Sequence, residues 1–420
     1  MSIEQAELPN GMRIVTDRMD SVETVTLGVW VLTGTRNETA DINGISHLLE
    51  HMAFKGTRRR SAKQIAVEIE NVGGHLNAYT SRETTVYYAT VLKEDVPLAL
   101  DILADILTDS VFDEEELARE RSVILQEIGQ ANDTPDDIVF DRFQETAFPD
   151  QPLGWPILGT AETVRTMPRT RLIDYIGAQY GGRRMILAAA GNLDHAALVR
   201  IASERFEGLA PGDASEAAPG SYRGGEFRDV RDLEQAHLVL GFEGIGYADP
   251  DYYALAVLST ALGGGMSSRL FQTIREERGL VYSIYSFSSA YRDGGIFGIY
   301  AGTGEGEVAE LLDVTADELR AVAAAAMDED EIARARAQIK AGVLMSLEST
   351  SSRAERIARQ IMIFGRPVPI PEIAAKIDAV TPEDARRVAG RLFSTAPTVA
   401  ALGPVGALQE YDAVKSALVA

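Results

Sequence analysis

Residues 209–225, LAPGDASEAAPGSYRGG, replace any hydrophobic period with small residues, Pro and Gly, and they divide the 420-residue chain almost in half. The two halves begin alike. Each opens on an alternating apolar run, Val25 to Val31 in the first and His237 to Phe242 in the second, then continues through a polar loop, an apolar helical segment and further strand-like sequence. A repeat on this scale constrains the fold more than any single motif, because whatever the first half forms, the second must form as well. For the first half the periodicity predicts strand 24–32, helices 44–54 and 62–72, strands 75–80 and 85–92, and helices near 95–108, 114–130 and 136–147. For the second it predicts strand 237–242, helices 251–262 and 267–276, strands 281–290 and 295–301, and long helices at 305–325 and 329–362. Interleaved strands and helices with short links imply an α+β protein made of two homologous α/β sandwich halves. The expected domains are 1–210, a linker at 211–225, and 226–420.

Composition narrows the function. With 40 Lys and Arg against 63 Asp and Glu, the formal net charge of −23 repels phosphate backbones and anionic lipid, so no nucleic-acid partner is expected. A cationic peptide suits this field, although acidity also serves solubility. The chain has no cysteine, which removes disulfides, thiol nucleophiles and thiolate metal sites and fits a reducing compartment. The N-terminal MSIEQAELPNGMRIV has neither an apolar core nor an Arg-rich amphipathic stretch, and no window offers about 18 apolar residues, so neither a targeting peptide nor a membrane span is expected. The expected location is cytoplasmic.

The chain has five histidines, and two of them stand in Gly44-Ile45-Ser46-His47-Leu48-Leu49-Glu50-His51-Met52-Ala53-Phe54. Residues four apart stack on one helix face, so His47 and His51 can offer two imidazoles to one metal, with Glu50 beside them. This is the H-E-x-x-H zinc arrangement written in reverse. A catalytic zinc takes a third protein ligand. The helix beginning at Asp113 has a capping-box pattern, Asp113 with Glu116, and an apolar stripe of Leu117, Ile124 and Ile128. Glu120 and Glu127, two turns apart, lie along the margin of that stripe. Glu127 is the ligand candidate and Glu120 the group that would orient a histidine. From spacing alone, a solvated helix edge explains these two acids equally well.

Taken together, these residues resemble the M16 metallopeptidases, within them the branch containing the mitochondrial processing peptidase β subunit and its bacterial relatives, over essentially the whole chain. The resemblance implies a LuxS-like metallohydrolase fold whose two halves form a clam-like chamber. It also implies one Zn2+ in the N-terminal catalytic domain, held by His47, His51 and Glu127, with Glu50 as the catalytic base and Glu120 as the supporting acid. Gly74-His75-Leu76-Asn77-Ala78-Tyr79-Thr80, followed by Glu83, resembles the edge strand that receives substrate backbone, so Asn77, Ala78 and Tyr79 are its expected binding residues. After Gly263-Gly264-Gly265-Met266-Ser267-Ser268-Arg269-Leu270, Arg275 and Tyr282 match the pair that the family brings from the C-terminal half to the scissile carbonyl. Asp137 and Asp141 match acids that receive a basic residue in processing peptidases, although some relatives carry a longer Glu at the first position. Asp150 to Gly154 and Ile157-Leu158-Gly159 agree with the same branch. The helix at Asp251 to Leu262 has no His or Glu, so zinc is expected in the first half alone.

The expectation is therefore a zinc endopeptidase for unfolded, basic, presequence-like peptides, acting as a homodimer or as a heterodimer with a glycine-loop partner. The rival readings are a non-catalytic core subunit of a larger complex and a peptidase dedicated to one biosynthetic precursor. Residues 110–141, with ten acids against two bases, concentrate much of the negative charge around the expected site.

Overall fold

The computed structural model describes residues 3–213, 215 and 217–418. Met1, Ser2, Ala214, Glu216, Val419 and Ala420 lie outside the described residues, and with them the start of the N-terminal stretch and two positions of the linker. The first half contributes β1 (Ile3–Glu7), β2 (Arg13–Arg18), β3 (Thr24–Val31), α1 (Ile45–Ala53), α2 (Ala62–Asn71), β4 (His75–Thr80), β5 (Thr85–Leu92), α3 (Val96–Thr108), α4 (Glu114–Asn132), α5 (Pro135–Ala147), α6 (Ala161–Thr166), α7 (Arg169–Gln179), β6 (Met185–Gly191) and α8 (His195–Arg205). The second contributes β7 (Gly225–Val230), β8 (Ala236–Gly244), α9 (Tyr252–Gly263), β9 (Val281–Ala290), β10 (Gly295–Thr303), α10 (Val308–Ala324), α11 (Glu329–Ser346), α12 (Thr350–Phe364), α13 (Ile370–Asp378), α14 (Pro382–Phe393), β11 (Thr398–Gly403) and α15 (Tyr411–Leu418).

The duplication is visible in the strand order. The first sheet runs β1-β2-β6-β3-β5-β4 and the second β7-β11-β8-β10-β9. In each, the first strand of the repeat pairs parallel to the last (β2 with β6, β7 with β11), and the other pairs are antiparallel. Apart from β1, the two sheets share one topology. β4 and β9 are the corresponding edge strands, and α1 and α9 the corresponding helices after the central strand.

Strand alternation assigns the faces of the first sheet. Val25, Leu27, Val29 and Val31 of β3 point into a core with Leu48, Leu49 and Met52 of α1 and with the apolar residues of α3. Trp30 points the other way, with Ile186, Ala188 and Ala190 of β6. Both faces must therefore be covered, which is why β6 reads as the unbroken apolar run MILAAAG.

That second face is covered by a helix from the other end of the chain. Two compact units comprise residues 1–129, 155–218 and 345–368, and residues 130–154, 219–344 and 369–420. In the first unit, Ala354, Ile357, Ala358 and Ile361 of α12 pack on Trp30, Val86 and β6. In the second, Ile138, Val139, Phe143 and Ala147 of α5 pack on Val239, Ile296, Tyr300, Ala400 and Leu402. The halves of the sequence thus exchange one helix each, and the domain limits expected at 210 and 226 do not separate these segments.

The same exchange corrects the single helix expected over 329–362. The chain breaks at 347–349, where the Ser349 hydroxyl caps α12 by accepting from the Ser352 amide (3.3 Å) and Arg353 Nε donates to the Leu347 carbonyl (2.5 Å). The Ser/Thr run after Leu347 is a helix-start signal that the apolar period overrode. The helix expected over 267–276 begins only at Arg269 and widens over Phe271–Glu276.

α1 begins on a tight backbone contact. Gly44 has φ +93°, and a Cβ there would stand 2.7 Å from the Gly159 Cα and 2.9 Å from the Leu158 carbonyl. Gly159 has φ +75°, with the reciprocal contact to the Gly44 Cα at 2.7 Å. Gly159→Ala is expected to cost about 2–4 kcal/mol in denaturant unfolding, combining left-handed strain with the clash, whereas Gly73→Ala, at φ +67° with open space around it, should lose only about 1 kcal/mol.

Candidate metal centre

The donor set is built on α1 and α4. His47 and His51, four residues apart on α1, have ring centroids 4.6 Å from each other, and Glu127 of α4 faces both. Glu127 Oε2 lies 3.7 Å from His47 Nε2 and 3.6 Å from His51 Nε2, and one ligand atom from each residue falls within 4.8 Å of the others. These separations are too long for hydrogen bonds. They suit donors sharing one ion, since ligand atoms about 2.0–2.2 Å from a tetrahedral zinc stand roughly 3.3–3.6 Å apart. Two imidazoles and a carboxylate are also a donor set that zinc accepts readily. The residues present therefore fit the metal.

The supporting groups prepare these donors. Glu120, buried on α4, has Oε2 3.0 Å from His51 Nδ1 and Oε1 2.7 Å from Lys55 Nζ. With Nδ1–H donating to Glu120, His51 keeps Nε2 free for metal, and Lys55 balances the charge that Glu120 carries into the interior. His47 Nδ1 is buried without a partner among the described residues. Burial, and after it the neighbouring His51, lowers the His47 pKa to about 4, so the ring stays neutral as a ligand must.

Glu50 is partly buried, and desolvation raises its pKa above the ordinary carboxylate range. The Thr80 hydroxyl donates to Glu50 Oε2 at 2.6 Å and opposes that rise. Thr80 ends β4, so the edge of the sheet is bonded directly to the acid beside the metal donors. β4 is the outermost strand, and no strand pairs with its outer side among the described residues. Asn77 and Tyr79 are exposed on one face of β4 and Ala78 is half-buried on the other. Glu83, just beyond, is taken by Arg36, whose Nη1 lies 2.6 Å away.

α1 itself is held by a residue that the sequence did not single out. Gly44 has no side chain with which to cap the helix. Instead Glu38 Oε2 accepts from the Gly44 amide (2.8 Å) and the Asn43 side chain (2.9 Å), and Oε1 from the Ser46 amide (2.9 Å). A carboxylate on these free amides is favoured by the helix dipole. The Asp113 cap expected at α4 is half realised: Asp113 Oδ1 accepts from the Glu115 and Glu116 amides, but the Glu116 side chain pairs with Arg119.

The remaining expected residues lie in the second unit. The Arg275 guanidinium lies 4.8 Å from the Phe271 ring centroid and 5.7 Å from that of Tyr282, which is exposed on β9. Asp137 is exposed and Asp141 half-exposed on α5. α9, the counterpart of α1, carries no metal ligand, and His47, His51 and Glu127 form the metal-competent cluster among the described residues.

The chain belongs to peptidase family M16. Residues 13–161 match the family described as Insulinase (Peptidase family M16), and residues 166–339 match the Peptidase M16 inactive domain, in keeping with donors in the first half alone. The chain is 41% identical over 96% of its length to an uncharacterized zinc protease of Streptomyces coelicolor, covering 90% of that protein. It is 39% identical over 97% of its length to the mitochondrial-processing peptidase subunit beta of Rattus norvegicus, covering 86% of it. Among solved structures, a protease from Helicobacter pylori shares the fold with a TM-score of 0.88 at 22% identity, over 96% of this chain and 99% of that one. A chain of complex III2 from Candida albicans does so with a TM-score of 0.89 at 22% identity, over 99% and 100%. With its three donors in place, the protein is a zinc metallopeptidase. No helix among the described residues is long and apolar enough to cross a membrane.

Two predictions follow from this geometry. Glu120→Gln should weaken zinc binding by roughly 10- to 100-fold in chelator competition while the fold survives, because the His51 ring loses its charged partner. His47 has a lower pKa folded than unfolded, so the unfolded chain binds more protons between the two values. The zinc-free protein should then lose up to about 3 kcal/mol of stability as pH falls from 6.5 to 4, read by denaturant titration, and His47→Gln should remove that slope.

Proposed function

We propose that this zinc peptidase is an endopeptidase that takes unfolded peptides in extended form along β4 and favours basic, presequence-like segments. The observation that carries the reading is one unit holding three metal donors, a partly buried carboxylate beside them, and a free sheet edge whose last side chain bonds that carboxylate. Zinc, when bound by His47, His51 and Glu127, supplies a Lewis acid that polarises a carbonyl and brings the pKa of water toward about 7.

Glu50 moves the proton. Its raised pKa makes it a stronger acceptor than a surface glutamate, and the same carboxyl can then return the proton to the departing amine. Thr80 holds Oε2, which leaves Oε1 to meet the attacking water. A peptide added to β4 through main-chain hydrogen bonds would be read by its backbone, with Asn77, Ala78 and Tyr79 as its first neighbours. This favours chains that are already unfolded.

Arg275 and Tyr282 are proposed to steady the carbonyl oxygen, a reading supported by the stacked guanidinium and the exposed phenol. Asp137 and Asp141, one helical turn apart on α5, are proposed to receive a basic side chain of the substrate. Likeness to a mitochondrial processing peptidase subunit supports the presequence-like class. We read the assembly as a homodimer, since one chain carries both the donors and the Arg275/Tyr282 pair.

Glu50→Gln should retain zinc and lose cleavage of an unstructured basic peptide by about 10²- to 10⁴-fold, measured by metal analysis and chromatography of the digest. Retained cleavage with zinc bound would remove Glu50 from the mechanism. Equal cleavage of a neutral peptide of the same length by the unmodified protein would remove the basic preference.

A further inference from the structure

We propose that Glu355, on α12, is a positioning residue that holds the substrate-accepting strand through the hydroxyl of Tyr79. The inference deepens the reading of β4 as the peptide-binding edge and rests on it.

Neighbouring residues of a strand point to opposite faces, so the end of β4 is gripped from both sides. Thr80 points to the α1 face and donates to Glu50 Oε2 (2.6 Å). Tyr79 points to the α12 face and donates to Glu355 Oε2 at 2.6 Å. The same oxygen accepts from Trp30 Nε1 at 2.9 Å, and Glu355 Oε1 lies 3.2 Å from Arg359 Nη2. Trp30 belongs to the central strand β3, so one carboxylate ties the middle of the sheet to its edge. Burial, and after it the charge and hydrogen bond of Glu355, also raises the Tyr79 pKa, which keeps the phenol protonated as a donor.

An edge strand needs such a brace. β4 has one neighbour, β5, and half of its backbone groups point away from the sheet. A peptide that adds there gains affinity only if those groups keep their register. The brace is itself stiff. Ala354 and Ile357 flank Glu355 in the buried face of α12, and Arg353 and Arg356 reach the fully buried Asp17 of β2 at 3.3 and 3.2 Å. The acid stands 276 positions from its tyrosine, on the face of the sheet away from the metal donors.

The test uses the full-length zinc-loaded protein, an unstructured basic peptide, and hydrogen exchange of the amides of residues 76–80. Glu355→Ala should raise KM roughly tenfold, leave kcat within about threefold and zinc content unchanged, and speed exchange in β4. Tyr79→Phe, which removes one hydroxyl and leaves the packing, should reproduce these changes. The double variant should be no worse than either alone. Glu355→Gln, whose side-chain oxygen can still accept from Tyr79, should recover most of the KM. Unchanged KM and β4 exchange in Tyr79→Phe, or a double variant whose KM shift is the product of the two singles, would overturn the proposal. The exchange measurement does not depend on turnover, so a protein that cut no peptide would fail the peptidase reading while the brace was still decided by exchange.

Discussion

Each sheet has two apolar faces, and one face of each is covered by a helix that the other half of the chain supplies. The rest of the structure follows from that exchange. The first sheet hides Leu27 and Val29 under its own α1 and α3, but Trp30, Val86 and Ile186 on the other face are covered by α12, delivered from beyond residue 345. The second sheet is completed by α5, delivered from before residue 154. The exchange also decides where several polar side chains stand. It brings Glu355 to the back of the edge strand, and it makes Asp137 and Asp141, which lie in the first half of the sequence, part of the second unit.

The metal centre shows how an acid-rich region is kept folded. Of the acids near α1, each one drawn inward has a stated partner. Glu38 takes the free amides at the start of α1, Glu120 is shared by His51 and Lys55, and Glu50 takes the Thr80 hydroxyl. Glu127, the most exposed of the four, faces the two imidazoles. Burial without partners would drive these groups to neutrality. The arrangement leaves three donors within reach of one cation and a partly buried carboxylate beside them.

Much of the first unit was legible in the sequence because it is written in local periods. His47 and His51 fall on one face by the helical repeat, β4 and β5 by alternation, and α1 to α5 begin and end within a few residues of the expected limits. The direction in which Glu120 and Glu127 face was decided by packing, since the stripe of Leu117 and Ile124 turns both acids toward α1. The single helix expected at 329–362 failed for a local reason, the Ser349 cap. Its destination failed for a global one: no periodicity says which sheet an amphipathic helix will cover.

The sequence by itself determined the repeat, the two-sheet α+β architecture, the donor pair on α1 and the absence of donors on α9, because each depends on spacing along one element. Only the tertiary structure decided that Glu38 caps α1, that Lys55 and Thr80 steady the acids around the metal donors, and that Glu355 reaches Tyr79. Those contacts join positions between 6 and 276 residues apart, a separation that no local period relates, and each depends on how whole elements pack.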